Sequence, residues 1–161
     1  MTHRILSAAA VLVALLAAAW LMWPDRKPMP IVDFTLADGG QLRGSELRGQ
    51  PLLVNFWSVS CEVCLRDMPH LTRLAESLAE KHLQVIGVAM SYDPPPAIIE
   101  TVKQLQPGYP IALDVNGEIA RAFGGVSVTP TTFLIGPDGS LLFQGTGALD
   151  ENRIRATLLT L

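Results

Sequence analysis

An apolar run broken only by one amide, Leu52-Leu53-Val54-Asn55-Phe56-Trp57, leads through three residues into Cys61-Glu62-Val63-Cys64. The segment beyond has helical periodicity. A short apolar run of this kind reads as a buried strand. The chain must therefore pass from a core strand into a helix whose first turn carries both of its cysteines. Backbone N–H groups without partners, and the helix dipole, favour an anion at that end. A sulfur there is biased toward the thiolate, the form that attacks disulfides. The three-residue offset lets the second sulfur reach the first within one helical turn.

Two other readings apply to a lone cysteine pair. Structural zinc takes four Cys or His ligands. The chain has only these two cysteines, and His3, His70 and His82 lack the spacing of a His pair. Inert packing is the second, since free cysteine behaves as a small hydrophobe. The strand, motif and helix in succession favour a redox pair. Cys61, at the helix mouth, is the expected nucleophile. Cys64, one turn in, is expected to resolve the mixed disulfide.

The N-terminus carries a different signal. Ile5 to Trp23 is apolar except for Ser7. As a helix it spans about 28 Å, close to the hydrocarbon core of a bilayer. Arg4 flanks one end and Asp25, Arg26 and Lys27 the other, with Trp20 and Trp23 at interfacial positions. Ala17-Ala18-Ala19 is a candidate cleavage site, but Trp20-Leu21-Met22-Trp23 continues the apolar run past it, which favours an uncleaved anchor. The expected organisation is an anchor or signal over 1–23, a proline-broken linker over 24–31 and one domain over 32–161. With a net charge of -3 and no Lys/Arg cluster, the chain has no electrostatic footprint for nucleic acid.

Further along, Ile31 to Leu36 reads as a short strand and Ser45 to Arg48 as a single helical turn. Met68, Leu71, Leu74, Ala75 and Leu78 form one helix face, with Pro69 expected to kink it. Gln84 to Met90 reads as a buried strand, Ala97 to Gln104 as a helix and Ile111 to Asp114 as a short strand. Gly117 to Phe123 follows as a short helix. Thr131 to Ile135 and Leu141 to Gln144 form a hairpin about Pro137-Asp138-Gly139. Asp150 to Leu159 closes the chain as a helix, with Asp150 as N-cap. This order predicts an α/β domain, a mixed central sheet flanked by helices on both faces.

One family gathers these signals. Asp33-Phe34-x-Leu36, Arg48-Gly49-x-Pro51, Val54-Asn55-Phe56-Trp57, Cys61-x-x-Cys64, Met68-Pro69 and Val128-Thr129-Pro130-Thr131-Thr132-Phe133 occur in order over roughly residues 32 to 160. The chain so resembles the membrane-anchored thioredoxin-like proteins of the TlpA type, which include the ResA-like reductases of cytochrome c maturation. The resemblance implies a thioredoxin-like fold behind an N-terminal transmembrane helix, with Tyr92 to Tyr109 as that family's insertion. It implies a thiol-disulfide oxidoreductase that reduces disulfides of partner proteins. It also implies a bacterial inner-membrane location with the catalytic domain on the periplasmic or extracytoplasmic side. A membrane thiol transporter is the expected electron donor, and no cofactor is called for.

The resemblance also assigns residues. Some reductases of the family place a Glu where Asp67 stands, as a proton carrier. A partly buried carboxylate there can accept a thiol proton; a solvated helix carboxylate is the plainer reading. Pro130, after Thr129, is expected to be cis, in a loop that presents backbone to an extended partner. Trp57 is expected to pack under the cysteines or simply in the core. Asn55 is expected to bond backbone or water behind them, and His70 and His82 to be solvated helix residues. The chain departs from its relatives at Ser60, where Trp is common, at Val63, where many have Pro, and at Asn55, where thioredoxins carry a buried Asp.

Two further functions are weighed. A peroxiredoxin-type peroxidase needs a Pro-x-x-x-Thr-x-x-Cys setting and a distant resolving cysteine, which the chain lacks. A copper-handling chaperone would use both thiolates with Met90 or His70 as an added ligand.

Overall fold

The computed structural model describes residues 17–18 and 28–161. The anchor expected over 5–23 thus falls outside the described residues but for Ala17 and Ala18. Among the described residues no helix is long and apolar enough to cross a membrane.

Five strands form the central sheet: β3 (Leu52–Trp57), β4 (Gln84–Ala89), β5 (Ile111–Leu113), β6 (Thr131–Ile135) and β7 (Leu141–Thr146). Their spatial order is β5-β4-β3-β6-β7. β3, β4 and β5 are parallel, while β6 and β7 run antiparallel, so the sheet is mixed as expected. A short hairpin, β1 (Phe34–Thr35) and β2 (Gln41–Leu42), forms its own two-stranded ladder and meets β5 just beyond, where Ala37 N–H donates to Ile111 C=O at 2.8 Å. The helices are α1 (Glu62–Ser77), α2 (Pro95–Leu105), α3 (Glu118–Ala122) and α4 (Glu151–Leu158).

Side chains along β3 point alternately to the two faces, and each face builds a core. Leu53 and Trp57 pack with Cys64, Met68, Leu71 and Leu74 of α1, Ile98 of α2, and Ile154 and Leu158 of α4. Leu52, Val54 and Phe56 pack with Phe34, Ile119, Phe123 and Phe133 on the other face. All six residues of β3 are buried, as a strand covered on both faces requires.

The differences from the sequence reading have local causes. The strand expected over Ile31 to Leu36 pairs only at Phe34 and Thr35, because its partner offers two residues; Leu36 makes an isolated bridge to Ala112. α2 starts at Pro95 rather than Ala97, since proline is tolerated where the N–H has no helical partner. α1 runs through Pro69 as one helix. His82 lies in the left-handed region (φ 55°) at the end of the 3-10 turn Ala79–Lys81, not within a helix. Pro28 and Met29, in the segment read as linker, join the domain: Pro28 bridges Ser140, and Met29 N–H donates to Gly139 C=O at 2.9 Å.

Gly87, in β4, admits two rings beneath the cysteines. A Cβ there would lie 2.6 Å from Ile111 Cδ1, 3.1 Å from Tyr109 Cε2 and 3.3 Å from Trp57 Nε1. The isoleucine tip can swing aside, but the two rings cannot. Gly87→Ala is expected to lower stability by about 1–3 kcal/mol, the usual cost of overpacking. Urea unfolding would measure it, and an unchanged midpoint would mean that the rings have slack.

Candidate active site

β3 ends at Trp57, and residues 58–61 form the turn into α1. Cys61 is the N-cap of that helix, with extended backbone (φ -93°, ψ 97°). Its N–H donates to Ser58 C=O at 3.1 Å, and its Sγ accepts from Cys64 N–H at 3.2 Å. The sulfur therefore takes the capping place that a Ser or Asp oxygen usually fills, on one of the helix's otherwise unpaired donors. Cys61 and Cys64 are joined in a disulfide with Cα atoms 5.2 Å apart. The pair is asymmetric. Cys61 is half-buried at the helix mouth, whereas Cys64 is 2% exposed within the core.

The other residues singled out from the sequence are placed as follows. Trp57 is buried in the same cluster as Cys64, and its Nε1 has no hydrogen-bond partner among the described residues. Thr129-Pro130 is cis. Because Thr131 pairs with Phe56, this loop lies at the cysteine end of the sheet. Pro130 C=O accepts from Gly147 N–H at 2.8 Å, and Thr131 Oγ1 donates to Val128 C=O at 2.7 Å.

Asp67 is not the solvated helix carboxylate of the plainer reading: it is buried, and its Oδ2 accepts from Leu149 N–H at 2.8 Å. It thereby fixes the loop that enters α4. Burial pushes the Tyr109 phenol well above its ordinary pKa, and the Asp67 charge adds to the effect. Asn55 donates through Nδ2 to Oγ1 of Thr132, its strand partner on β6, at 2.9 Å. His70, on the exposed side of α1, meets Glu151 Oε1 at 3.1 Å and so links α1 to α4.

Sequence reasoning missed Ser58 and Asp93. Both are buried, and Asp93 accepts from Ser58 Oγ at 3.0 Å and from Val59 N–H at 2.9 Å. In the sequence Asp93 stands only as the residue before Pro94-Pro95-Pro96. The one local hint was an acid four residues after a strand that is apolar from Val85 onward.

The metal reading finds no support in this geometry. Met90 packs on the sheet face opposite Cys64, and His70 turns to Glu151. Among the described residues no group of three His, Cys, Asp or Glu is placed to hold a metal ion. The cysteines pair with each other one turn apart, where the peroxidase reading needs a distant partner.

The model of the AhpC/TSA family matches residues 27–144. The thiol-disulfide oxidoreductase ResA of Halalkalibacterium halodurans is 30% identical over 125 residues, which cover 76% of this chain and 70% of that protein. ResA of Bacillus subtilis is 28% identical over 124 residues, covering 76% and 68%. Among solved structures, a putative thioredoxin from Neisseria meningitidis superposes with a TM-score of 0.74 at 29% identity, over 84% of this chain and 90% of its own. A thioredoxin-family thiol:disulfide interchange protein from Chlorobium tepidum reaches 0.76 at 22% identity, over 85% and 97%, a likeness of fold.

Proposed function

The chain belongs to the AhpC/TSA family and is a thiol-disulfide oxidoreductase built on Cys61 and Cys64, and from that premise we propose that it reduces protein disulfides outside the cytoplasmic membrane. The observation that carries this reading is the asymmetry of the pair. In the reduced protein the Cys61 thiolate, held by Cys64 N–H, attacks one sulfur of a partner's disulfide. A Cys61–partner bond forms, and the partner's other sulfur leaves as a thiolate. Cys64 then attacks the Cys61 sulfur, releases the partner as a dithiol and closes the internal disulfide. Two electrons pass to the partner.

The remaining assignments belong to the same reading. Asp67 accepts the Cys64 proton as that thiol becomes the attacking group. The partner's chain runs beside Thr129-Pro130 over the wall that Trp57 supports. Val128, 55% exposed, and Tyr92, 58% exposed, offer it apolar contact at that end of the sheet. Residues 5–23 anchor the protein in the bacterial inner membrane with the domain facing the periplasm. A membrane thiol transporter returns the electrons.

The direction follows from what surrounds Cys61. Strong oxidants owe their potential to a stabilised thiolate. Here the dipeptide between the cysteines is Glu62-Val63, which offers no cation, and exposed Glu62 adds an acid in the first turn. The helix terminus, through Cys64 N–H, favours the anion. Equilibration with dithiothreitol or glutathione redox buffers is expected to give a potential below about -200 mV, within the reductase range. A value above about -150 mV would mark an oxidant and overturn the reductase reading while leaving the redox pair intact.

A further inference from the structure

The turn in front of Cys61 is organised by a carboxylate that the exchange chemistry does not itself consume. Asp93 is 7% exposed, yet it carries an acid. Its Oδ2 accepts from Val59 N–H at 2.9 Å and its Oδ1 from Ser58 Oγ at 3.0 Å. A carboxylate only accepts, and a hydroxyl has one proton to give. Ser58 gives that proton to Asp93, so its oxygen is left to accept. It takes Ser60 N–H at 3.2 Å and lies 3.0 Å from Ser60 Oγ, which must therefore be the donor. Cys61 N–H closes the turn on Ser58 C=O at 3.1 Å. Every backbone N–H from Val59 to Cys61 thus has its acceptor, and the direction of the whole chain is set by Asp93.

We propose that Asp93 is a positioning residue for thiol–disulfide exchange: through Ser58 and Val59 it fixes the turn that aims Cys61 Sγ at the incoming disulfide. The proposal rests on the reading of Cys61 as the attacking thiol. In that step the Cys61 sulfur approaches along the partner's S–S axis; one S–S bond forms as the other breaks, and the electron pair leaves on the departing sulfur. Asp93 exchanges no proton and no electron in it. Its effect is geometric, and a displacement of an ångström at a reacting atom costs up to about a hundredfold in rate. Ser60 gives the arrangement its last link: it is a donor that fits the Ser58 oxygen.

The test uses the full chain with Cys64→Ser, in which only Cys61 can attack. The reaction is single-turnover formation of the mixed disulfide with a cystine-bridged peptide, its rate corrected for the thiolate fraction read by ultraviolet absorbance. Asp93→Asn and Ser58→Ala are each expected to lower the limiting rate about tenfold. The peptide concentration at half-saturation should not change, because neither residue reaches the surface. Asp93→Asn keeps one acceptor for Val59 N–H but turns an amide NH2 toward Ser58 Oγ and so reverses the direction of that bond, while Ser58→Ala keeps the carboxylate and its Val59 bond, so the second variant stands if the first fails to fold. The double variant is expected to lose no more than the worse single one, because both interrupt one chain of bonds.

Three results would overturn the proposal. One is a lower melting temperature with unchanged rates. Another is a double variant whose loss is the product of the single losses. The third is Asp93→Asn faster than its parent while Ser58→Ala is unchanged, which would make the carboxylate a through-space charge. If Cys64→Ser alone forms no mixed disulfide, the Cys61 reading fails and the proposal falls with it.

Discussion

Cys61→Ser is expected to abolish disulfide reduction, lowering kcat/KM by at least about a thousandfold, the scale on which removal of a nucleophile acts. A serine hydroxyl in the same place stays protonated and does not attack sulfur. Cys64, 2% exposed behind the first turn, cannot take over the attack on a protein partner. Cys64→Ser has a different phenotype. Attack by Cys61 still occurs, but nothing resolves the product, so covalent complexes accumulate that dithiothreitol releases. Non-reducing gels of both variants, exposed to the same partner, read the two outcomes together. More trapped partner with Cys61→Ser than with Cys64→Ser would reverse the two roles.

Phe56→Ala is expected to cost about 3–5 kcal/mol of stability, the range for emptying a large aromatic site in a core. Phe56, Phe123 and Phe133 meet edge to face, with centroids 5.1 to 5.8 Å apart and interplanar angles of 66° to 74°. Each ring offers a positive edge to a neighbour's negative face, worth about 0.5–1.5 kcal/mol per pair beyond the area buried. β3, β6 and the residue after α3 each supply one ring, so no single backbone shift can close the gap. Urea unfolding should show a lower midpoint at unchanged slope. The redox potential should not move, because the rings fill the face of the sheet opposite Cys64. A loss below about 1 kcal/mol would mean that the site collapses well and would remove the triad's claim to hold that face together.

The parts of the site read correctly from the sequence are local ones. The passage from β3 into α1 is a run of contiguous residues with two periodicities in succession. Asp150 was legible as an N-cap because its partner is three residues on: Oδ1 accepts from Arg153 N–H at 3.0 Å. The parts missed are side-chain bonds between residues far apart in the chain. Asp67 reaches Leu149 across 82 positions, Asn55 reaches Thr132 across 77, and Asp93 reaches Ser58 across 35. No periodicity marks such a bond, because it depends on which strands become neighbours. Met90 is the instructive exception. Alternation along β4, carried one residue past its end, assigns Met90 to the face of Ile86 and Val88, away from the cysteines. That rule was available from the sequence and would have removed Met90 as a partner of the thiolates.

The pairing of Pro28 and Met29 with Gly139 and Ser140 determines how the domain can be held. Those contacts lie by the turn after β6, at the Leu52 end of β3, whereas the disulfide lies beyond Trp57 at the other end. Six residues of strand at about 3.3 Å each separate the two, a lever arm of about 20 Å. The described chain enters the domain at its base, through Pro28 and Met29. If residues 5–23 anchor the protein as proposed, attachment at that base would hold the reactive tip at the far end of the sheet, and changing the length of the tether would change which partners come within range without touching the chemistry at the tip.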